Sequence, residues 1–274
     1  MPASLKTRTA TAPGRTRSVR RARRDEHRSR LIDQFEDQAG LCASSEDLRR
    51  LLDLVAQELG FQYFALLHHA SLRPSSSGLI RVHNYPAAWE DELVSGQLGP
   101  EDPVHAACRR TNIGFAWDEL GSLFALNARH QQILERSRRY GIGAGFTVPA
   151  NVPGEPNGSC SFAVRGGRRL PEHRLMCAEL IGAHAFRAAR RIQGFTTPRP
   201  RTHLSRRQLE CLRLVAAGKT DWEIAAILRL SVDTARQYVK SARAAYDVVS
   251  RAQLVVHGLR DAWISYEDAI PPSG

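Results

Sequence analysis

No C-x-x-C pair occurs among the five cysteines (Cys42, Cys108, Cys160, Cys177, Cys211) of this 274-residue chain. An odd count without paired spacing argues against both a disulfide framework and a structural zinc, and predicts a reducing, cytoplasmic setting. Each cysteine reads as a small core hydrophobe rather than a reactive thiol. The ten histidines show no metal-ligand spacing, and no nucleophile–base motif joins a cysteine to His68, His69 or His105, so neither a metal sensor nor a hydrolase is expected. No apolar run approaches the roughly 20 residues that cross a bilayer. The first thirty residues also lack the apolar segment of a secretory signal, so no membrane partner is expected.

Positive charge is abundant but localised. The net charge is +11, with ten Lys/Arg against two acids in residues 1–30, 19 against 18 in 31–202 and ten against eight in 203–274. The tail, residues 1–30, is rich in Arg, Thr, Ala and Pro and poor in large apolar residues, a composition that predicts disorder. Its Arg20-Arg21-Ala22-Arg23-Arg24 run suits DNA phosphates or anionic lipid, and equally a solvated basic extension.

Past the tail, Leu48, Leu51, Leu52, Val55 and Leu59 recur at helical spacing up to Gly60. Strands are predicted over 61–67, 78–83, 141–149 and 158–164, the last two separated by a loop holding Pro153, Gly154 and Pro156. Helices are predicted around 89–94, 104–110 and 126–140, with a long one over 171–193. Helices flanking one mostly antiparallel sheet make residues 31–193 an α+β domain, an α-β-α sandwich. Residues 194–203 break the periodicity and read as a linker. Residues 204–274 follow as an all-α domain.

In that domain, Ser205 to Gln208 and Thr220 to Glu223 match capping boxes, Gly218 sits at a helix end, and Ser231 is the next N-cap. Three short helices with a tight turn at Arg229-Leu230 make a helix-turn-helix. Its third helix buries Val232, Ala235, Val239 and Ala242 and shows Asp233, Arg236, Gln237, Lys240 and Arg243 on other faces; its N-terminal part suits a major groove, where Arg reads guanine and Gln reads adenine. Lys219 and Thr220, at a helix start, are placed to hold phosphate, and Ser231 and Thr234 at the start of the third helix are further DNA-binding candidates. Between Ser205 and Arg243 there are eight basic and four acidic residues. A helical bundle that packs on a partner protein is the plainer alternative.

The residues Leu204-Ser205-x-Arg207-x-x-Glu210-Cys211-Leu212, Ala216-x-Gly218-Lys219-Thr220, Glu223-Ile224-Ala225 and Leu228-x-Leu230-Ser231-x-x-Thr234 resemble the DNA-binding domain of LuxR-type regulators. Gln208 stands where that family usually has Glu, Ala235 where it often has Val, and Tyr238 where it often has His. A phosphorylated receiver is not expected in front of it, because Phe61 to Val82 contains no Asp or Glu.

Instead, Asn84-Tyr85-Pro86-x-x-Trp89, Asp102-Pro103-Val104, Trp117 and Gly143-x-Gly145-Phe146-Thr147-x-Pro149 resemble the autoinducer-binding domain of the same family. The resemblance implies an N-acyl homoserine lactone as ligand and no cofactor. It implies that Asp102 accepts from the ligand amide, Trp89 donates to the lactone carbonyl and Tyr85 donates to the acyl carbonyl. Ser161 adds a hydroxyl and Trp117 an aromatic wall; Asp102 also suits a helix N-cap before Pro103. Leu93 replaces a tyrosine usual in the family, which implies an acyl group of unusual length, branching or aromaticity. The resemblance further implies a homodimer on palindromic DNA, dimerised through helices 171–193 and 251–263, with RNA polymerase as a further partner. Receptors that read another small molecule, act without ligand, or release DNA on binding it share this architecture.

Overall fold

The structure, a computed structural model, describes residues 14–72, 78–95, 98–195 and 202–270. Contacts group residues 1–151 and 157–196 into one compact unit and residues 197–274, with 152–156, into a second. Among the described residues, no helix is long and apolar enough to cross a membrane.

The first unit opens with α1 (Gly14–Leu41) and α2 (Ser45–Leu59). Residues 14–30, expected to be disordered, are helical, while residues 1–13 lie outside the described residues. Leu31, Phe35 and Ala39 anchor the C-terminal half of α1 in the core. No Gly or Pro interrupts residues 15–39, so each residue added N-terminally gains one hydrogen bond without a new nucleus. At the start of α2, the Ser44 hydroxyl accepts from the Asp47 amide, and the Asp47 carboxylate accepts from the Ser44 amide. The apolar stripe read from the sequence is buried on α2.

Five strands follow: β1 (Tyr63–His68), β2 (Arg81–His83), β3 (Phe115–Ala116), β4 (Ile142–Ala150) and β5 (Gly158–Arg165). They form one antiparallel sheet in the order β2-β1-β5-β4-β3. Alternation splits it into two apolar faces. Phe64, Leu66, Phe146, Val148, Cys160, Phe162 and Val164 meet α1, α2 and α7 (Leu175–Ile192). A Cβ at Gly182 of α7 would stand 3.0 Å from Val148, so its absence sets how closely this helix approaches the sheet.

The opposite face carries α3 (Ala87–Ser95), α4 (Pro103–Cys108), α5 (Leu120–Leu123) and α6 (Ala128–Arg139). It buries Ala65, Leu67, Trp89, Leu93, Ile133 and Ala163. β3 and α5 went unpredicted because they are too short to carry a period. The long helix expected from Pro171 begins at Leu175, after a 3-10 turn.

The second unit is α8 (Arg206–Ala216), α9 (Asp221–Leu228), α10 (Val232–Ala245), α11 (Arg251–Arg260) and α12 (Tyr266–Ala269). Leu204, Cys211, Leu212, Ile224, Ala225, Ala235, Val239 and Leu254 form its core. Gly218 takes φ +77 after α8, a left-handed value that costs glycine nothing. Arg229 closes α9 at φ 56, so the turn into α10 holds a non-glycine residue in that region. Residues 196–201 of the expected linker lie outside the described residues.

Candidate functional site

The α3–α6 face of the sheet encloses a cavity of about 40 Å³. Tyr85, Trp89, Leu93, Asp102, Trp117 and Ser161, the residues singled out in the sequence, all line it. They come from five places in the chain. Asn84 sets Tyr85: its side chain accepts from Phe64 N (2.7 Å) and donates to Asp53 and to the Gln62 carbonyl, fixing the exit from β2. Trp89 and Leu93 lie one turn apart on α3, both buried, and the Trp89 ring packs on Tyr140 at 5.7 Å.

Asp102 satisfies the plainer reading as well. Its Oδ1 accepts from Val104 N at 2.7 Å and caps α4. Oδ2 has no protein hydrogen bond among the described residues, so one carboxylate both caps a helix and lines the cavity. Trp117 lies over Gly145, where a Cβ would overlap its ring. Its indole N–H donates to Thr147 Oγ1 (2.9 Å), which lies 2.8 Å from Ser161 Oγ.

Among the described residues, neither the Tyr85 hydroxyl nor the Trp89 indole N–H has a hydrogen-bond partner. Burial, then Asp102 and Cys160, pushes the Tyr85 phenol far above its ordinary range, so at neutral pH it remains a donor. Two unpaired donors and one acceptor thus converge in a mostly apolar wall that also holds His105, Ser137 and Ser161, the composition of a small-molecule site.

The sequence did not point to Ile133 or Ser137, and it gave Thr147 and His105 no place in a binding site. Thr147 meets Ser161 only through the β4–β5 register, which pairs the two directly. Ile133 and Ser137 share a face of α6 at helical spacing, a legible signal that went unused. A wider hollow of about 370 Å³ adjoins the cavity and shares Trp117, Leu134 and Ser137 with it, so these side chains form the partition. All five cysteines are buried. Burial pushes the Cys108 thiol up to about 12 and raises Cys160 further, which suits packing rather than chemistry.

In the second unit, Ser231, Asp233, Thr234, Arg236, Gln237 and Lys240 are all exposed at the start and along one side of α10. Ser231 Oγ caps α10 by accepting from Thr234 N at 3.1 Å. Thr220 Oγ1 accepts from Glu223 N and donates to Glu223 Oε2, so its hydroxyl serves the α9 cap. Lys219 lies 3.7 Å from Glu223. Arg236 is paired with Asp233 at 2.8 Å. Gln237 and Lys240 have no hydrogen bond or ion pair among the described residues. Gln208 keeps the capping box through Oε1 and also donates from Nε2 to Ser241 Oγ at 3.0 Å.

Residues 44–192 match the family described as Autoinducer binding domain, and residues 202–257 match Bacterial regulatory proteins, luxR family. The chain is 25% identical over 229 residues to the transcriptional activator protein VanR of Vibrio anguillarum, covering 81% of this chain and 92% of that protein. It is 24% identical over 206 residues to y4qH of Sinorhizobium fredii, covering 73% of this chain but only 62% of that longer protein. Among solved structures, Escherichia coli SdiA has the same fold, with a TM-score of 0.58 at 22% identity over 87% of this chain and 98% of that one. SdiA in complex with octanoyl-rac-glycerol matches with a TM-score of 0.56 at 23% identity over 85% and 93% of the two chains.

Proposed function

Because the chain belongs to the LuxR family of autoinducer-binding transcription regulators, we propose that it takes an N-acyl homoserine lactone into the N-terminal cavity and binds palindromic promoter DNA as a dimer. The observation that carries this reading is the convergence of Tyr85, Trp89, Asp102 and Ser161 on one apolar-walled cavity. A buried amide needs both its N–H and its C=O paired. Asp102 Oδ2 accepts from the ligand amide, the Tyr85 hydroxyl donates to the acyl carbonyl, and the Trp89 indole donates to the lactone carbonyl. Trp117 and Leu93 wall the ligand, and Ser161 supplies a further hydroxyl.

The cavity of about 40 Å³ is far smaller than the roughly 300–1,000 Å³ of typical ligand sites, so the ligand parts the wall and completes the core. Ligand binding then stabilises the fold by mass action, by about 2.7 kcal/mol at a hundred times Kd. Lys219, Thr220, Ser231, Thr234 and Lys240 meet phosphates, while Asp233, Arg236 and Gln237 present α10 to the major groove. Met176 and Leu180 on α7 and Val256 on α11, all exposed, are apolar surface for the dimer contacts. RNA polymerase is the further partner of this reading where the bound protein activates rather than represses.

Titration calorimetry with a panel of acyl homoserine lactones, alongside an acylglycerol such as SdiA takes, tests the ligand. Gel shift on a palindromic promoter, with and without ligand, tests the output. Micromolar or tighter binding of a lactone and ligand-dependent DNA affinity are expected; an acylglycerol binding better than every lactone defeats the lactone assignment.

A further inference from the structure

The cavity wall holds one more hydrogen-bonding ring that the scheme above leaves unused, His105 of α4. It is 6% exposed and lines the cavity directly. Its Nδ1 lies 3.2 Å from the carbonyl oxygen of Gly99. A carbonyl only accepts, so Nδ1 carries a proton and, in the neutral ring, Nε2 is a bare acceptor. Nε2 has no hydrogen-bond partner among the described residues.

A second histidine fixes the first. The His69 ring stacks on His105 with centroids 4.0 Å apart and planes 16° apart. His69 is itself pinned by Nε2, 3.1 Å from Ser159 Oγ. Burial, then the neighbouring His105, Arg109 and His68, holds the His69 imidazole well below the usual histidine range, so the ring behind His105 is neutral at pH 7. Gly99 orients one ring and Ser159 the other. Ser159 precedes Ser161 by two residues on β5, which is roughly 7 Å along the strand. In the scheme above Trp89, Asp102 and Tyr85 take the lactone carbonyl, the amide and the acyl carbonyl, so an acceptor left over in the same wall falls to the rest of the acyl group.

A wall built only for hydrocarbon has no use for a fixed, buried, unpaired acceptor. We propose that His105 is a specificity-determining residue whose Nε2 accepts a hydrogen bond from a hydroxyl on the acyl portion of the ligand. The inference rests on the lactone reading above and names the chemistry that this reading leaves open. The hydroxyl belongs either to a hydroxylated aliphatic chain or to a hydroxyaryl group; both offer the same O–H donor, and the apolar Leu93 accommodates either.

The test titrates the full-length protein with matched pairs of N-acyl homoserine lactones. One pair is a hydroxylated aliphatic chain and its plain counterpart; the other is a hydroxyphenyl acyl group and its phenyl counterpart. The wild type is expected to prefer the hydroxyl-bearing member of one pair by about tenfold, the size of one hydrogen bond to a buried acceptor. His105→Asn retains a donor for the Gly99 carbonyl and removes the Nε2 acceptor, so the ratio of affinities within that pair should fall to about one. His105→Phe, which keeps the ring stack, provides a second variant with the same expected outcome. Equal wild-type affinities within both pairs, or a preference that survives both substitutions, overturn the role of His105 and leave the lactone reading standing. Failure of every lactone to bind the wild type removes that reading and this inference together.

Discussion

Gly145 and Trp117 show how far one missing atom reaches. The indole lies where a Cβ on residue 145 would be, and Gly145 cannot retreat because β4 is paired there with Ala163 of β5. Gly145→Ala should therefore dislodge Trp117 from Thr147, lower stability by about 1–3 kcal/mol as overpacking does, and weaken ligand affinity. Thermal unfolding and ligand titration check both effects. His69 makes a pH prediction. Above about pH 6.5 it is neutral in the folded and unfolded chain alike and contributes nothing. Below that, the unfolded chain takes up a proton that the buried ring refuses, with His68, His105 and Arg109 opposing it, so stability falls as pH drops. His69→Gln should flatten the slope of melting temperature between pH 6.5 and 5, above the range in which carboxylates titrate.

At the scale of elements, the caps were legible and their second uses were not. Ser44, Ser205, Thr220, Ser231 and Ser250 each begin a helix by accepting an amide N–H three residues on, and such spacings stand in the sequence. The contact from Gln208 on α8 to Ser241 on α10 does not. The Ser241 hydroxyl already donates to the Tyr238 carbonyl, so its oxygen needs a donor, which Gln supplies and the family's usual Glu lacks. Gln208→Glu should thus destabilise the C-terminal unit by about 0.5–1.5 kcal/mol, one partly buried hydrogen bond, despite restoring the family residue. Urea denaturation measures it, and an unchanged midpoint would show the contact to be idle. The disorder expected for residues 14–30 failed for a related reason: composition describes a segment by itself, whereas α1 inherits its helix from Leu31, Phe35 and Ala39 packed in the core.

On the scale of the whole molecule, a net charge of +11 says little about DNA, since most of the excess lies in residues 1–30. The prediction belongs instead to α10. Each phosphate contact contributes roughly 0.9 to the slope of log K against log salt. Lys240→Ala should lower affinity about equally for specific and unrelated duplexes and reduce that slope by about one per protomer. Gln237→Ala should instead relax base preference at one position of each half-site. Salt-dependent gel shifts on matched and mismatched operators separate the two, and a Lys240 variant with an unchanged slope would remove that residue from the interface.

The sequence by itself determined the order of the helices and strands apart from α1, β3 and α5, the helix-turn-helix with its caps, and the family motifs holding Tyr85, Trp89 and Asp102. These rest on local spacing, where each residue's partner lies within a turn or two. Only the tertiary structure decided that Thr147 and Ser161 sit side by side, that Trp117 covers Gly145, that Asp102 caps a helix and lines the cavity at once, and that His69 stacks on His105. Those pairs are up to 36 residues apart in the chain, and strand register and helix docking bring them together. A shift of one residue in pairing would turn Ser161 from the cavity face to the opposite face.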